Sequence, residues 1–206
     1  PELEDVVPNQ TEIDGDTFYV IGQGRENGQF HRARSVILAI DLKTGRLDTH
    51  KFKGSGIFKP SELLIRERLG LSPEAHLNAF GQSMTVRNNT IYLSAGSLKN
   101  KGPYLAAFDT ATGDLEESKF NKGIFDFRAF LAQHDPGSIH LANSGSPLFV
   151  YDKKKPLLYV FSERAYRHEK MRLSSKQTPY FRIYAVDPIS GEIRPDALQN
   201  GMADLK

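Results

Sequence analysis

The sequence predicts an all-β fold built from three internal repeats, and three observations support this prediction. A similar phrase occurs three times, as AIDLKTGRL (39–47), AAFDTATGDL (106–115) and AVDPISGEI (185–193). Each copy contains a Thr-Gly or Ser-Gly pair, which is typical of a tight turn. Each copy also follows short, apolar, aromatic-rich segments separated by polar turns, as antiparallel strands are. Self-similarity of this kind determines the class of fold before any single element is considered.

The first two strands of each repeat are predicted to form a hairpin. The second strands centre on Tyr19, Tyr92 and Tyr159, in segments rich in aromatic and β-branched residues, which favour strands. An Asp-Gly-Asp sequence (14–16) and an Asn-Asn pair (88–89) precede two of these strands. Gly and Asn tolerate the positive φ that tight hairpin turns require.

The third strand of each repeat is predicted to end in the repeated aspartate, and the turn that follows leads into a fourth strand. The Asp and the Thr or Ser are expected to cap this turn, while its glycine adopts a left-handed conformation. The fourth strands are predicted over RLDTHKF (46–52), DLEESKF (114–120) and EIRPDAL (192–198). Four short antiparallel strands joined by tight turns form one blade of a β-propeller, so the sequence predicts about three enlarged blades.

The chain is predicted to form a single propeller-type domain over residues 1–206. Its blades are predicted at about 8–53, 79–120 and 143–198, with helical connectors at 54–78 and 121–142. Within the connectors, helical turns are expected from Pro60 to Gly70 and over DFRAFLAQ (126–133). Because about four to eight blades are needed to close a ring, three blades indicate a partial propeller. The chain is then a fragment of a larger protein, or blades from other copies complete it.

The repeated turn resembles the blade repeat of quinoprotein-like (PQQ-type) β-propellers. The matching residues are an Asp, a Thr or Ser and a Gly in each copy: Asp41, Thr44, Gly45; Asp109, Thr112, Gly113; Asp187, Ser190, Gly191. The family usually places a tryptophan after this turn, where it docks on the next blade; here Phe52, Phe120 and Leu198 stand near that place. The chain has neither tryptophan nor cysteine, whereas the family's dehydrogenases have a tryptophan floor under the cofactor and often a cysteine pair. The resemblance therefore favours a non-catalytic member and implies a periplasmic or extracellular location.

The predicted topology places a positive charge excess on one face. The segments 22–34, 95–103 and 162–179, expected to be loops between second and third strands, carry an excess of seven positive charges, although the whole chain has a net charge of only +2. A basic face favours an anionic ligand or an acidic partner, against the alternative that these are merely solvated loops. The residues predicted to bind such a partner are Arg25, Arg32, Arg34, Lys99, Lys101, Arg164, Arg167, Lys170 and Arg172.

Two histidines occupy matching positions in the connectors. His76 begins HLNAFG and His140 begins HLANSG, both just before a predicted innermost strand that faces the central channel. Together they are candidates to hold a metal or an anion or, with Arg128, to serve an active site at the channel mouth. The alternative is that each histidine only caps its connector through one hydrogen bond. The sequence predicts no metal site.

These observations favour a non-catalytic binding or scaffold module that presents a basic loop face to an acidic protein or polyanionic ligand. Further blades, from the same longer chain or from a homo-oligomer, are the other expected partner, because an open stack of blades leaves apolar faces at its ends. The alternative is a quinoprotein-type oxidoreductase or a carbohydrate-acting enzyme, and PQQ and calcium are expected only in that case. A sensor domain of a membrane receptor is a third interpretation. No apolar run in the sequence is long enough to span a bilayer.

Overall fold

The protein consists mainly of β-strands arranged in three sheets. The computed structural model describes residues 6–26, 29–60, 68, 70, 80–95, 103–120, 122–136, 148–152, 154–164 and 180–205. Within these residues, three open four-stranded sheets each pair their antiparallel strands in chain order. The first sheet contains β1 (Val6–Asp14), β2 (Thr17–Glu26), β3 (Gln29–Asp41) and β4 (Ile57–Phe58). The second contains β5 (Phe80–Arg87), β6 (Thr90–Ala95), β7 (Tyr104–Asp109) and β8 (Ile124–Asp126). The third contains β9 (Leu148–Tyr151), β10 (Leu158–Arg164), β11 (Tyr180–Val186) and β12 (Met202–Leu205).

The second sheet is buried on both faces. In β6, Ile91 and Leu93 belong to a core shared with the first sheet, whereas Tyr92 belongs to a core shared with the third sheet. This division follows from the strand geometry, because successive side chains point to opposite faces of a sheet. The continuously apolar β7, in which Tyr104 to Phe108 are all buried, is explained in the same way. The all-β prediction is confirmed, and the sheets pack face to face in chain order.

The three sheets have the same orientation in this stack. The first strands lie side by side, since β1 contacts β5 and β5 contacts β9. The Gln10 side chain donates to the Met84 carbonyl at 2.6 Å and accepts from the Met84 N–H at 2.7 Å. The short turns after β1, β5 and β9 and after β3, β7 and β11 therefore lie along one edge of the stack, the turn edge. The strands β2, β6 and β10 end at the opposite edge, the loop edge.

The predicted fourth strands are wrong. Residues 46–52, 114–120 and 192–198 each contribute one isolated β-bridge to their sheet, through Leu47, Leu115 and Ile193. They then leave the extended conformation, because the residues closing these segments have left-handed backbones: φ is 52° at Phe52, 50° at Phe120 and 54° at Leu198. A residue with such a φ interrupts an extended strand.

The true fourth strands begin a few residues later. Strands β4 and β8 lie within the segments predicted as connectors, and β12 lies beyond the last predicted blade. Ile57 pairs with Leu38, and Ile124 pairs with Ala106, so the repeated Gly-Ile-Phe sequence forms an edge strand. In the third sheet Met202 pairs with Tyr184. Each fourth strand is fixed at its start by one repeated backbone hydrogen bond of 2.8 Å, donated to a glycine carbonyl at position 56, 123 or 201.

The predicted loop at 22–34 is largely hairpin. Strand β2 continues to Glu26, which pairs with Gln29 at the start of β3. The two residues between them in the sequence are Asn27 and Gly28, a dipeptide that strongly favours two-residue hairpin loops. This signal explains why the first sheet has the longest strands.

The second predicted helix is confirmed as α1 (Phe127–His134). Asp126 caps its start, because the carboxylate accepts hydrogen bonds from the N–H groups of Arg128 and Ala129 at 2.9 and 3.0 Å; such caps satisfy N–H groups that have no partner within the helix. Phe130 and Leu131 face the core between the second and third sheets. The first predicted helix, from Pro60 to Gly70, lies mostly outside the described residues.

Candidate interaction surfaces

The repeated aspartates have a structural function at the turn edge. One oxygen of Asp41 accepts from the N–H groups of Lys43 and Thr44, at 2.7 and 2.9 Å. Asp109 and Asp187 make the same pair of hydrogen bonds at distances between 2.7 and 3.1 Å. The two N–H groups, Thr44 first, hold the pKa of the Asp41 carboxyl below its ordinary value. These carboxylates are thus engaged in capping their turns.

Contacts between successive sheets repeat at this edge. The Phe52 N–H donates to the Thr110 carbonyl of the second sheet at 3.0 Å. In the same way the Phe120 N–H donates to the Pro188 carbonyl of the third sheet at 3.2 Å. Both phenylalanines are only 4% exposed, so each docks on the sheet that follows it. Each phenylalanine has a left-handed backbone, which directs its N–H group and its ring toward that sheet.

A second repeated contact lies beside the first. A Cβ atom added to Gly113 would lie 2.9 Å from the Phe58 ring, and one added to Gly191 would lie 3.4 Å from the Phe125 ring. Phe58 and Phe125 belong to equivalent fourth strands, so each phenyl ring covers the turn glycine of the following sheet. The glycine is required by its positive φ and also by this close approach.

The outer face of the first sheet is apolar. Phe18 pairs with Ile40 and Val20 pairs with Leu38, and all four are half-buried. Ile13, opposite Phe18 on β1, is 57% exposed. The inward residues of the same strands are buried in the core shared with the second sheet.

The outer face of the third sheet is also apolar. Val150, which is 55% exposed, pairs with the half-buried Tyr159. Phe161, Ile183 and Ala203 lie in register across β10, β11 and β12, and each is half-buried. Clusters of partly exposed apolar side chains on one face are typical of surfaces that bind another protein. The stack therefore has an apolar face at each end.

The predicted basic residues that are described lie along the loop edge. Arg25 lies near the end of β2, Arg32 and Arg34 lie near the start of β3, and Arg164 is the last residue of β10. Their backbones are thus brought to one edge of two different sheets. Lys99, Lys101, Arg167, Lys170 and Arg172 lie outside the described residues, as do His76 and His140. Arg128 is half-buried in the first turn of α1.

One ionic cluster was not predicted from the sequence. The Arg182 guanidinium donates to both oxygens of Asp204, at 2.5 and 2.9 Å, and to Asp135 at 2.5 Å. Tyr184 also donates to Asp135, at 3.0 Å. The hydrogen bonds to Asp204 and Asp135 raise the pKa of Arg182. The cluster ties the end of α1 to the third sheet. No local sequence pattern predicts this cluster, because the register of β12 is what places Asp204 opposite Arg182.

Buried tyrosines mark the interfaces between the sheets. Burial raises the pKa of Tyr19 to about 12 and also raises the pKa of Tyr92, which contacts Tyr151 across the second interface, with ring centroids 5.5 Å apart. The Tyr104 hydroxyl is the one buried side-chain polar atom among the described residues that has no hydrogen-bond partner. These phenols remain protonated at neutral pH.

The described part of the chain contains no group of three or more His, Asp or Glu side chains that could hold a metal ion. In that same part, none of the helices has the length and apolar character needed to cross a membrane. Comparison with protein-family models, with curated proteins and with solved structures returns no match to the chain.

Proposed function

We propose that this chain is a non-catalytic binding or scaffold module in which the three sheets are β-propeller blades and the loop edge binds an acidic ligand or partner. The repeated Asp-x-x-Thr/Ser-Gly turn and the repeated docking of one sheet on the next support the blade interpretation. They also support a relation to quinoprotein-like propeller repeats.

The placement of Arg25, Arg32, Arg34 and Arg164 along one edge is the observation that carries the binding proposal. Loops at one edge of a repeat array are the usual binding face. These four cations outnumber the two acids at the same strand ends, Glu26 and Glu163. Such an excess creates a local positive potential although the net charge is only +2, and this potential attracts anions.

Fluorescent poly-L-glutamate is a suitable probe for the proposed acidic partner. We expect it to bind the chain at low salt and to be released as salt rises, because screening weakens contacts between exposed charges. The double variant Arg32→Glu/Arg34→Glu should weaken binding at least about tenfold, by reversing two charges at the proposed site.

A matched control reverses two charges at the opposite edge. Lys154 and Lys155 are exposed in the turn between β9 and β10, so Lys154→Glu/Lys155→Glu changes the net charge by the same amount and should leave the affinity nearly unchanged. Equal losses in both variants would mean that only net charge matters, and the proposal would then be wrong. Specific binding of PQQ with calcium would instead favour the quinoprotein oxidoreductase.

A further inference from the structure

We infer that the outer face of the third sheet binds the outer face of the first sheet in a second copy of this chain, which gives a head-to-tail ring of two chains. The inference rests on the blade interpretation in the proposed function but is independent of ligand binding. Its test measures mass without any ligand, so the two proposals can fail separately.

The third sheet carries an unused docking residue. Leu198 occupies the position of Phe52 and Phe120 in its repeat and has the same left-handed backbone, with φ of 54°. Yet Leu198 is 43% exposed, whereas each phenylalanine is 4% exposed. Its N–H donates no hydrogen bond within the described residues, although the equivalent N–H groups donate to the following sheet. The donor and the apolar side chain are thus already in the docking conformation.

The first sheet carries the unused receiving site. Leu42 is equivalent to Thr110 and Pro188, whose carbonyls accept the docking hydrogen bonds. Leu42 is 49% exposed, whereas Thr110 is fully buried. The turn glycine of the first sheet is uncovered as well. A Cβ added to Gly45 would meet no atom within 4 Å, whereas the equivalent Gly113 is covered by a phenyl ring of the preceding sheet.

The two unused halves are the complementary sides of an interface that the chain already forms twice, which favours a second copy as the occupant. The side chains at this contact differ in size from those inside the chain, because Ala203 stands on the third sheet where Phe58 and Phe125 stand on the others. On the receiving side, the large Leu42 replaces Thr110 and Pro188.

The number of blades found in closed propellers indicates the number of copies. An interface between two different patches makes a ring when its rotation closes and a filament when it does not. Two copies of three sheets give six, which lies within the range of about four to eight blades in closed propellers. Every outer sheet face is then covered.

The first test is the mass of the full chain by light scattering over a dilution series. We expect a species of twice the 23.1 kDa chain mass that dissociates on dilution. The variant Leu198→Asp should raise the dissociation constant at least about tenfold, because a charge replaces a central apolar anchor. The matched control is Ile189→Asp, since Ile189 is 58% exposed but lies in the turn that contacts the second sheet. Circular dichroism confirms that the variants are folded.

A mixing experiment tests the head-to-tail arrangement. Leu42→Asp damages only the receiving side and Leu198→Asp only the docking side, so each variant alone should be monomeric at a concentration where the wild type still pairs. Mixed together, they retain one undamaged interface between them and should form a one-to-one pair. A wild-type monomer at every concentration, growth into long polymers, or no pairing in the mixture would each overturn the inference.

Discussion

The position that closes each repeated turn segment allows an alanine substitution to be compared at a buried residue, Phe120, and at an exposed residue, Leu198. Phe120 and Leu198 occupy equivalent positions with φ of 50° and 54°, so replacing either with alanine leaves the same backbone strain. The Phe120 ring packs on Tyr92 and Phe125 of its own sheet, with ring centroids 5.7 and 5.4 Å apart, and it lies 3.9 Å from a Cβ added to Gly191 of the third sheet. Among the described residues, Leu198 has no equivalent sheet to dock on. We predict that Phe120→Ala is much more destabilising than Leu198→Ala.

The expected magnitudes follow from burial. Phe120 is 4% exposed, and removal of a buried phenylalanine side chain costs about 3–5 kcal/mol of unfolding free energy. Leu198 is 43% exposed, so its truncation removes roughly half of a leucine's burial, or about 1 kcal/mol. Because the backbone strain is shared, the difference of at least about 2 kcal/mol reports the burial of the ring at the interface between the second and third sheets.

Urea denaturation followed by circular dichroism measures both values, at a protein concentration low enough to keep the chain monomeric. The denaturant slope must stay constant for the free energies to be compared. Phe52→Ala provides a second docked example and should resemble Phe120→Ala. Equal losses at Phe120 and Leu198 would refute the docking argument, because burial would then not determine the effect.

Three further predictions concern the turns and the ionic cluster. The pKa of Asp41 is lowered in the folded chain, so the ionised carboxylate stabilises the fold at neutral pH, and this contribution is lost as pH falls through the folded pKa. Chemical denaturation of the wild type and of Asp41→Asn at several pH values should show that the difference between their unfolding free energies disappears in acid. Gly113→Ala should destabilise about 1–3 kcal/mol more than Gly45→Ala in chemical denaturation, because both have positive φ but only Gly113 lies against the Phe58 ring. Arg182→Met should cost about 1–3 kcal/mol in the same assay, because it leaves two carboxylates without their charged donor; no loss would show that the ion pairs contribute nothing net.

The sequence predicts most of the fold where the signals are local. The hairpin turns before Tyr19 and Tyr92 and the aspartate caps at Asp41 and Asp109 each depend on a few adjacent residues. Such signals survive in any context, because the side chain satisfies its own turn. The first three strands of each sheet and the helix capped by Asp126 were predictable for this reason.

The fourth strands were missed because their signal is not local. The segment that ends in Phe120 has strand-like composition, but Phe120 adopts a left-handed backbone because docking on the third sheet offsets the conformational cost. Tertiary contacts of this kind override the propensity of the segment. The Arg182–Asp204 pair was missed for a related reason, since only the register of β12 brings the two residues together.

The apolar residues on the two outer faces of the stack support the proposed assembly of two chains. In repeat proteins that stand alone, the terminal repeats usually carry a polar outer face, which keeps the array soluble. Here the outermost described sheets do the opposite, since Ile13 and Val150 are more than half exposed and Leu42 and Leu198 nearly so. The outer faces therefore differ from those of such capping repeats, and the mixing of Leu42 and Leu198 variants tests directly whether they form the proposed interface.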